Sequence, residues 1–110
     1  MKNYVQPGEY IEVTLAAAAV SGQGMLVGSM FGIAAKSGAI GELVNLALEG
    51  VFEHAKEAEA LAVGDLVYWN DTNKTLTTTV GTNKLIGVAV KANLIGDATG
   101  TVRLNSAFIA

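Results

Sequence analysis

In the stretch YIEVTL, Ile11, Val13 and Leu15 alternate with Glu12 and Thr14. That is the period of a strand with one face on a core and the other in water. Pro7-Gly8 just ahead of it reads as the turn that starts the strand. The run AAAAV (16–20) has good helix formers but is too short before Ser21-Gly22 to sustain a helix, so a loop or strand end is expected. MLVGSMFGIAA (25–35) is apolar on both faces and interrupted by Gly28 and Gly32, which fits either one bent strand or a tight pair of short strands. GELVNLALEGVFEHA (41–55) places Val44, Leu46 and Leu48 on one face, with a bend at Gly50 before Phe52 resumes the pattern.

Helical spacing is found in AKEAEALAVG (55–64), where Ala55, Ala58, Leu61 and Ala62 recur three and four apart. Gly64 stands where a left-handed C-terminal residue belongs, so a helix of about two turns is expected. VGDLVYWNDTNKTLTTT (63–79) reads as a hairpin. Leu66 and Tyr68 share one face, Val67 and Trp69 the other, and Asp71-Thr72-Asn73-Lys74 forms the loop, with Asn73 left-handed. Thr75, Thr77, Thr78 and Thr79 make a return strand with a hydroxyl-rich outer face. KLIGVAVKA (84–92) is a strand buried on both sides, and TVRLN (101–105) a half-exposed one. The sum is an all-β protein: a compact barrel or sandwich of about seven or eight short strands with one short helix. No repeat with a period in the range of about 20–50 residues is evident. A single β-domain over 1–110 is expected, with residues 1–9 a possible N-terminal arm.

Composition narrows the function classes. Of 110 residues 51% are hydrophobic and 15% charged, which excludes a disordered chain. A net charge of −3 with scattered basic residues gives no electrostatic footprint for nucleic acid. There is no cysteine, hence neither a disulfide nor a thiolate metal site. The start MKNYVQPGEY lacks the apolar core of a signal peptide, and no apolar run is long enough to span a membrane, so neither export nor membrane association is expected.

Chemistry has little to work with. The single histidine, His54, lies three residues from Glu57, but two ligands do not make a metal site. Ser21, Ser29, Ser37 and Ser106 have no base other than His54, and none sits in a nucleophile elbow. Glu53, Glu57 and Glu59 cluster as a solvated face would. GQGMLVG (22–28) misses the spacing of a dinucleotide fingerprint and lacks the following helix. GIAAKSG (32–38) lacks the glycines of a phosphate loop. No catalytic, cofactor-binding or metal-binding residue is expected.

Taken in order, MKNYVQPGEYIEVT, SGQGMLVGSMFGIAA, LEGVFEHAK, GDLVYWNDTNKTLTTT, LIGVAVKA and VRLN resemble the small phage capsid cement, or head decoration, proteins. Sequences of this kind have at times been labelled recombinases, a label the absent phosphate loop does not support. The resemblance implies a noncatalytic virion component, present in the host cytoplasm before assembly. It would bind the outer surface of the head through the major capsid protein and stabilise the shell, as a homo-oligomer, expected to be a trimer. Tyr4, Val5, Gln6, Pro7 and Tyr10 are the candidates for capsid attachment. Tyr68 and Trp69 are the candidates for contact between subunits; they point to opposite sides of their strand, so at most one is core. The alternatives are another phage structural role (tail, fibre or head–tail adaptor) and a small ligand-binding β-barrel with a pocket at Tyr68 and Trp69.

Overall fold

The computed structural model describes Gln6 and residues 8–104. It is all-β, with no helix among the described residues. The nine strands are β1 (Tyr10–Thr14), β2 (Gly24–Val27), β3 (Met30–Ala34), β4 (Leu43–Ala47), β5 (Val51–Ala55), β6 (Leu66–Asn70), β7 (Thr75–Thr77), β8 (Lys84–Ala89) and β9 (Thr99–Leu104). Two antiparallel sheets result, a four-stranded one ordered β1-β4-β3-β2 and a five-stranded one ordered β5-β9-β8-β6-β7. The first is curved into half a barrel.

The alternations in the sequence place the core. Val44, Leu46 and Leu48 are buried, and Leu15 and Ala19 close over them from the loop after β1. A larger cluster fills the space between the sheets. Phe31, Ile33 and Ala47 come from the first sheet, and Val67, Trp69, Leu76, Ile86, Ala89, Val102 and Leu104 from the second. The stretch 24–34 is the tight pair of strands, joined at Gly28-Ser29, with Val27 opposite Met30. Gly50, at a φ of 124°, carries the chain from β4 in one sheet to β5 in the other.

The expected helix over 55–64 does not form. The chain there runs extended beside β7, with a parallel bridge between Lys56 and Leu76 and the Glu57 amide donating to the Leu76 carbonyl at 2.8 Å. Gly64 is left-handed, as expected, but it turns the chain into β6 rather than ending a helix. Intrinsic helix preference over two turns is a fraction of a kilocalorie per residue. Covering the open edge of β7 and burying Leu61 outweigh it.

The two sheets are built on one plan. Replacing β1, β2, β3 and β4 by β5, β6, β8 and β9 converts the order β1-β4-β3-β2 into β5-β9-β8-β6, with β7 added at the edge. The connecting hydrogen bonds repeat as well. Gly22 and Ala34 donate to Ala34 and Gln23; Gly64 and Ala89 donate to Ala89 and Asp65. Leu48 donates to Glu9, and Leu104 to Gly50. The sequence carries a trace of this in GIAAKSGAIGE (32–42) and GVAVKANLIGD (87–97). A fixed period does not reveal it, because the second copy inserts β7 and its turns between the equivalents of β2 and β3.

Candidate functional site

Trp69 is closed inside the protein, 1% exposed. Its ring meets Phe31 at 4.9 Å and His54 edge-on at 5.0 Å, and its Nε1 donates to Asp71 Oδ1 at 3.0 Å. This corrects the pairing of Tyr68 with Trp69 as subunit contacts: a side chain filling its own core has no face left for a neighbour. Tyr68 points outward, half-buried, beside Leu66, Ala60, Thr78 and Val80 in a surface depression. The left-handed residue of the hairpin loop is Lys74, with a φ of 58°, rather than Asn73. Lys74 is held by its ion pair to Asp71 at 2.8 Å, while Asn73 donates from Nδ2 to Glu57 Oε1 at 2.7 Å.

On the outer face of the five-stranded sheet, the register sets Leu66 opposite Val88, Val88 opposite Arg103, and Arg103 opposite Val51. Leu66 and Val51 are more than half exposed. This band is apolar with one cation in it. Of the attachment candidates, Gln6 and Tyr10 lie elsewhere. Tyr4, Val5 and Pro7 fall outside the described residues. Gln6 and Tyr10 line a surface depression with Glu9, Glu12 and Asn45, and Tyr10 is 54% exposed.

Two charged side chains are tied into the fold: Lys56, which is buried, and Glu59, which the sequence places on a solvated face and the structure leaves half-buried. Lys56 is 9% exposed, and its Nζ donates to the carbonyls of Glu59 at 2.6 Å, Glu57 at 3.3 Å and Ile95 at 3.5 Å. Glu59 receives the Thr78 amide at 2.7 Å and the hydroxyls of Thr77, Thr78 and Thr79 at 2.9–3.1 Å. Burial opposes ionisation of Glu59. The Thr78 amide and the three hydroxyls outweigh it and hold the carboxyl below its ordinary value of 4.5. The threonine hydroxyls therefore converge on a carboxylate instead of facing water, and Thr77 is buried. The signal in the sequence was the threonine run itself, but its acceptor lies 18–20 residues away.

A third polar side chain, His54, ties the two sheets together. His54 Nε2 accepts the Gly24 amide at 3.0 Å, joining the two sheets and occupying the lone pair that a base or metal ligand would need. Among the described residues no group of three or more His, Asp or Glu side chains could hold a metal ion. No helix among them is long and apolar enough to cross a membrane.

Residues 5–104 match the family described as phage cement protein. No curated protein and no solved structure matches the chain. The family match spans nearly every residue of both sheets, and on that basis the chain belongs to the phage cement protein family.

Proposed function

We propose that this protein binds the outer surface of an assembled phage head and stabilises the shell without catalysing a reaction. The observation that carries the reading, beside the family, is how its side chains are divided. Lys56 and Glu59 are spent on the protein's own carbonyls, amide and hydroxyls, whereas large aliphatic side chains stand in the open. Leu94 is 74% exposed, Ile40 70%, Val63 69%, Val20 63% and Ile95 62%. A contact repeated over a shell needs modest affinity per copy, provided the scaffold is rigid and its apolar surface finds a partner. Adding purified protein to heads that lack it, and imaging them, tests the reading. Added density on the outer surface is expected, and heads that stay bare overturn it.

The band of Leu66, Val88 and Val51, with Tyr68 beside it, is the surface proposed for contact between copies, in a homo-oligomer expected to be a trimer. Sedimentation as a strict monomer at micromolar concentration refutes that part. The N-terminal arm, with Tyr4, Val5, Gln6, Pro7 and Tyr10, is proposed to contribute to attachment. Deleting residues 2–8 is expected to weaken head binding, and undiminished binding removes the arm from the contact.

A further inference from the structure

The duplicated plan of the two sheets extends to their most exposed points. In the first sheet Ala19 and Gly38 exchange backbone hydrogen bonds of 2.9 and 3.0 Å; in the second Leu61 and Asn93 exchange two of 2.9 Å. Each of these four residues leads directly into a β-turn, at 20–23, 39–42, 62–65 and 94–97. In all four, the amide of the last residue donates to the carbonyl of the first: Gln23 to Val20, Glu42 to Ala39, Asp65 to Ala62 and Asp97 to Leu94, at 2.9–3.1 Å. In all four, the last side chain also takes the first residue's amide. Gln23 does so at 3.2 Å, Glu42 at 2.8 Å, and Asp65 and Asp97 at 2.9 Å. Gly22, Gly41 and Gly64 are left-handed at the third position, as a type II turn requires, while Gly96 is not.

The consequence is a particular kind of surface. The last side chain of each turn is folded back onto the turn's own amide, and the large side chains left exposed beside it are aliphatic. One pair of turns presents Val20 and Ile40; the other presents Val63, Leu94 and Ile95. Ile40 and Ile95 hold the same place in the two copies, each followed by glycine and an acid. At 70% and 62% exposure they contribute little to their own fold, so the fold does not account for an isoleucine at both.

We propose that the two tips are equivalent contact points, by which one chain bridges two copies of the same apolar pocket on neighbouring shell subunits. The inference rests on the head-binding reading above. A contact element present twice in one chain fits a partner that itself repeats, and a shell of identical subunits offers the same pocket at regular intervals. Glu42, Asp65 and Asp97 each give one carboxylate oxygen to a turn amide, and the side chains that project beside them, Ile40 and Ile95, call for an apolar pocket. Bridging two subunits is also the mechanical act that resists their separation. It makes the second contact intramolecular once the first has formed, which raises overall binding by about 10²–10⁴-fold over either contact alone.

The test uses the full chain and cement-free heads assembled from the major capsid protein of the encoding phage. Ile40→Asp and Ile95→Asp are each expected to lower apparent affinity by about 10²-fold or more, with faster dissociation, and the double variant to abolish binding. All three are expected to melt with the wild type, since both side chains are exposed. Ile40→Thr and Ile95→Thr keep the β-branch and give the same order of effects should aspartate disturb a turn. A folded single variant that binds as the wild type does overturns bridging while leaving head binding intact. A variant whose loss of binding accompanies a changed sedimentation coefficient assigns that tip to contacts between copies, and also overturns it. A wild-type protein that leaves the heads bare overturns the head-binding reading itself.

Discussion

The two sheets share strand order, connecting hydrogen bonds and turns, yet they are stabilised differently. The first is a half-barrel over small and aliphatic side chains, Ala34, Val44 and Leu46, with Ala19 of the alanine loop packed against them. The second relies on one large aromatic and on embedded polar groups, with Trp69 at the centre and the Lys56 and Glu59 clusters along the edge. Backbone topology is thus indifferent to how the interior is filled, provided volume and polar satisfaction are met. The additional strand β7 explains the asymmetry. It widens the second sheet, and its edge is covered by residues 56–61, where Glu59 takes the Thr77 hydroxyl and Lys56 donates to the segment's own carbonyls.

Equivalent glycines offer the sharpest way to break this comparison. A Cβ on Gly87 would collide with the Arg103 carbonyl oxygen, a backbone atom that cannot yield. A Cβ on Gly32 would lie 2.8 Å from the Leu46 Cβ and 3.0 Å from the Ala47 oxygen. Gly87→Ala is therefore expected to prevent folding. Gly32→Ala should fold with a loss of about 1–3 kcal/mol, the usual cost of overpacking. Circular dichroism and urea unfolding separate the two, and equal losses would refute the difference in closeness between the copies.

Next in size is the tryptophan. Trp69→Ala should cost about 3–5 kcal/mol in urea unfolding, because a fully buried aromatic leaves a cavity shared by both sheets. A cost below about 1 kcal/mol would show that the second core does not depend on it.

Glu59 sharpens the comparison through pH. Its folded pKa is depressed, so the ionised carboxylate adds stability above its unfolded value of 4.5, and this is lost as pH falls through the lower folded value. Glu59→Gln should cost about 1–2 kcal/mol at pH 7, set by hydrogen bonds to a charged acceptor that is partly exposed. The variant and the wild type should converge in thermal melts as pH falls from the unfolded value of 4.5 through the lower folded one. A gap that stays constant with pH would remove the charge from the account.

The smallest effect on stability is expected at the surface. Leu66→Ser should change unfolding by less than about 0.5 kcal/mol, since the side chain is half exposed. It should nonetheless shift sedimentation toward smaller species. An unchanged sedimentation profile would take the outer band of the second sheet out of the contact between copies.

Much of the fold was legible because period-two alternation is a local property. Ile11, Val13 and Leu15 face inward from β1 and its end, with Glu12 and Thr14 outward, and the same holds for Val44, Leu46 and Leu48. The hairpin loop falls at 71–74, where the alternation puts it, but its left-handed residue is Lys74 and not Asn73. Asn73 has the intrinsic preference, whereas Lys74 takes the conformation while held by Asp71. The segment 55–64 misled for a related reason. Its alanines fit a helix, and nothing within it announces that Lys56 will lodge among the carbonyls of Glu57, Glu59 and Ile95. Of the candidate contacts, the opposition of Tyr68 and Trp69 across one strand followed from the pleat alone, but which of them is buried did not.

Strand positions, turn positions and the all-β class rest on short-range rules: alternation, glycine punctuation and β propensity act within a few residues of one another. The burial of Trp69 rather than Tyr68, the capture of Glu59 by three threonines and the matching of one sheet to the other rest on segments far apart in the chain. Those contacts depend on which faces meet when two sheets close on a common core. That choice belongs to the packing of the whole chain, because a buried side chain is selected by the volume and partners available to it, not by its neighbours in sequence.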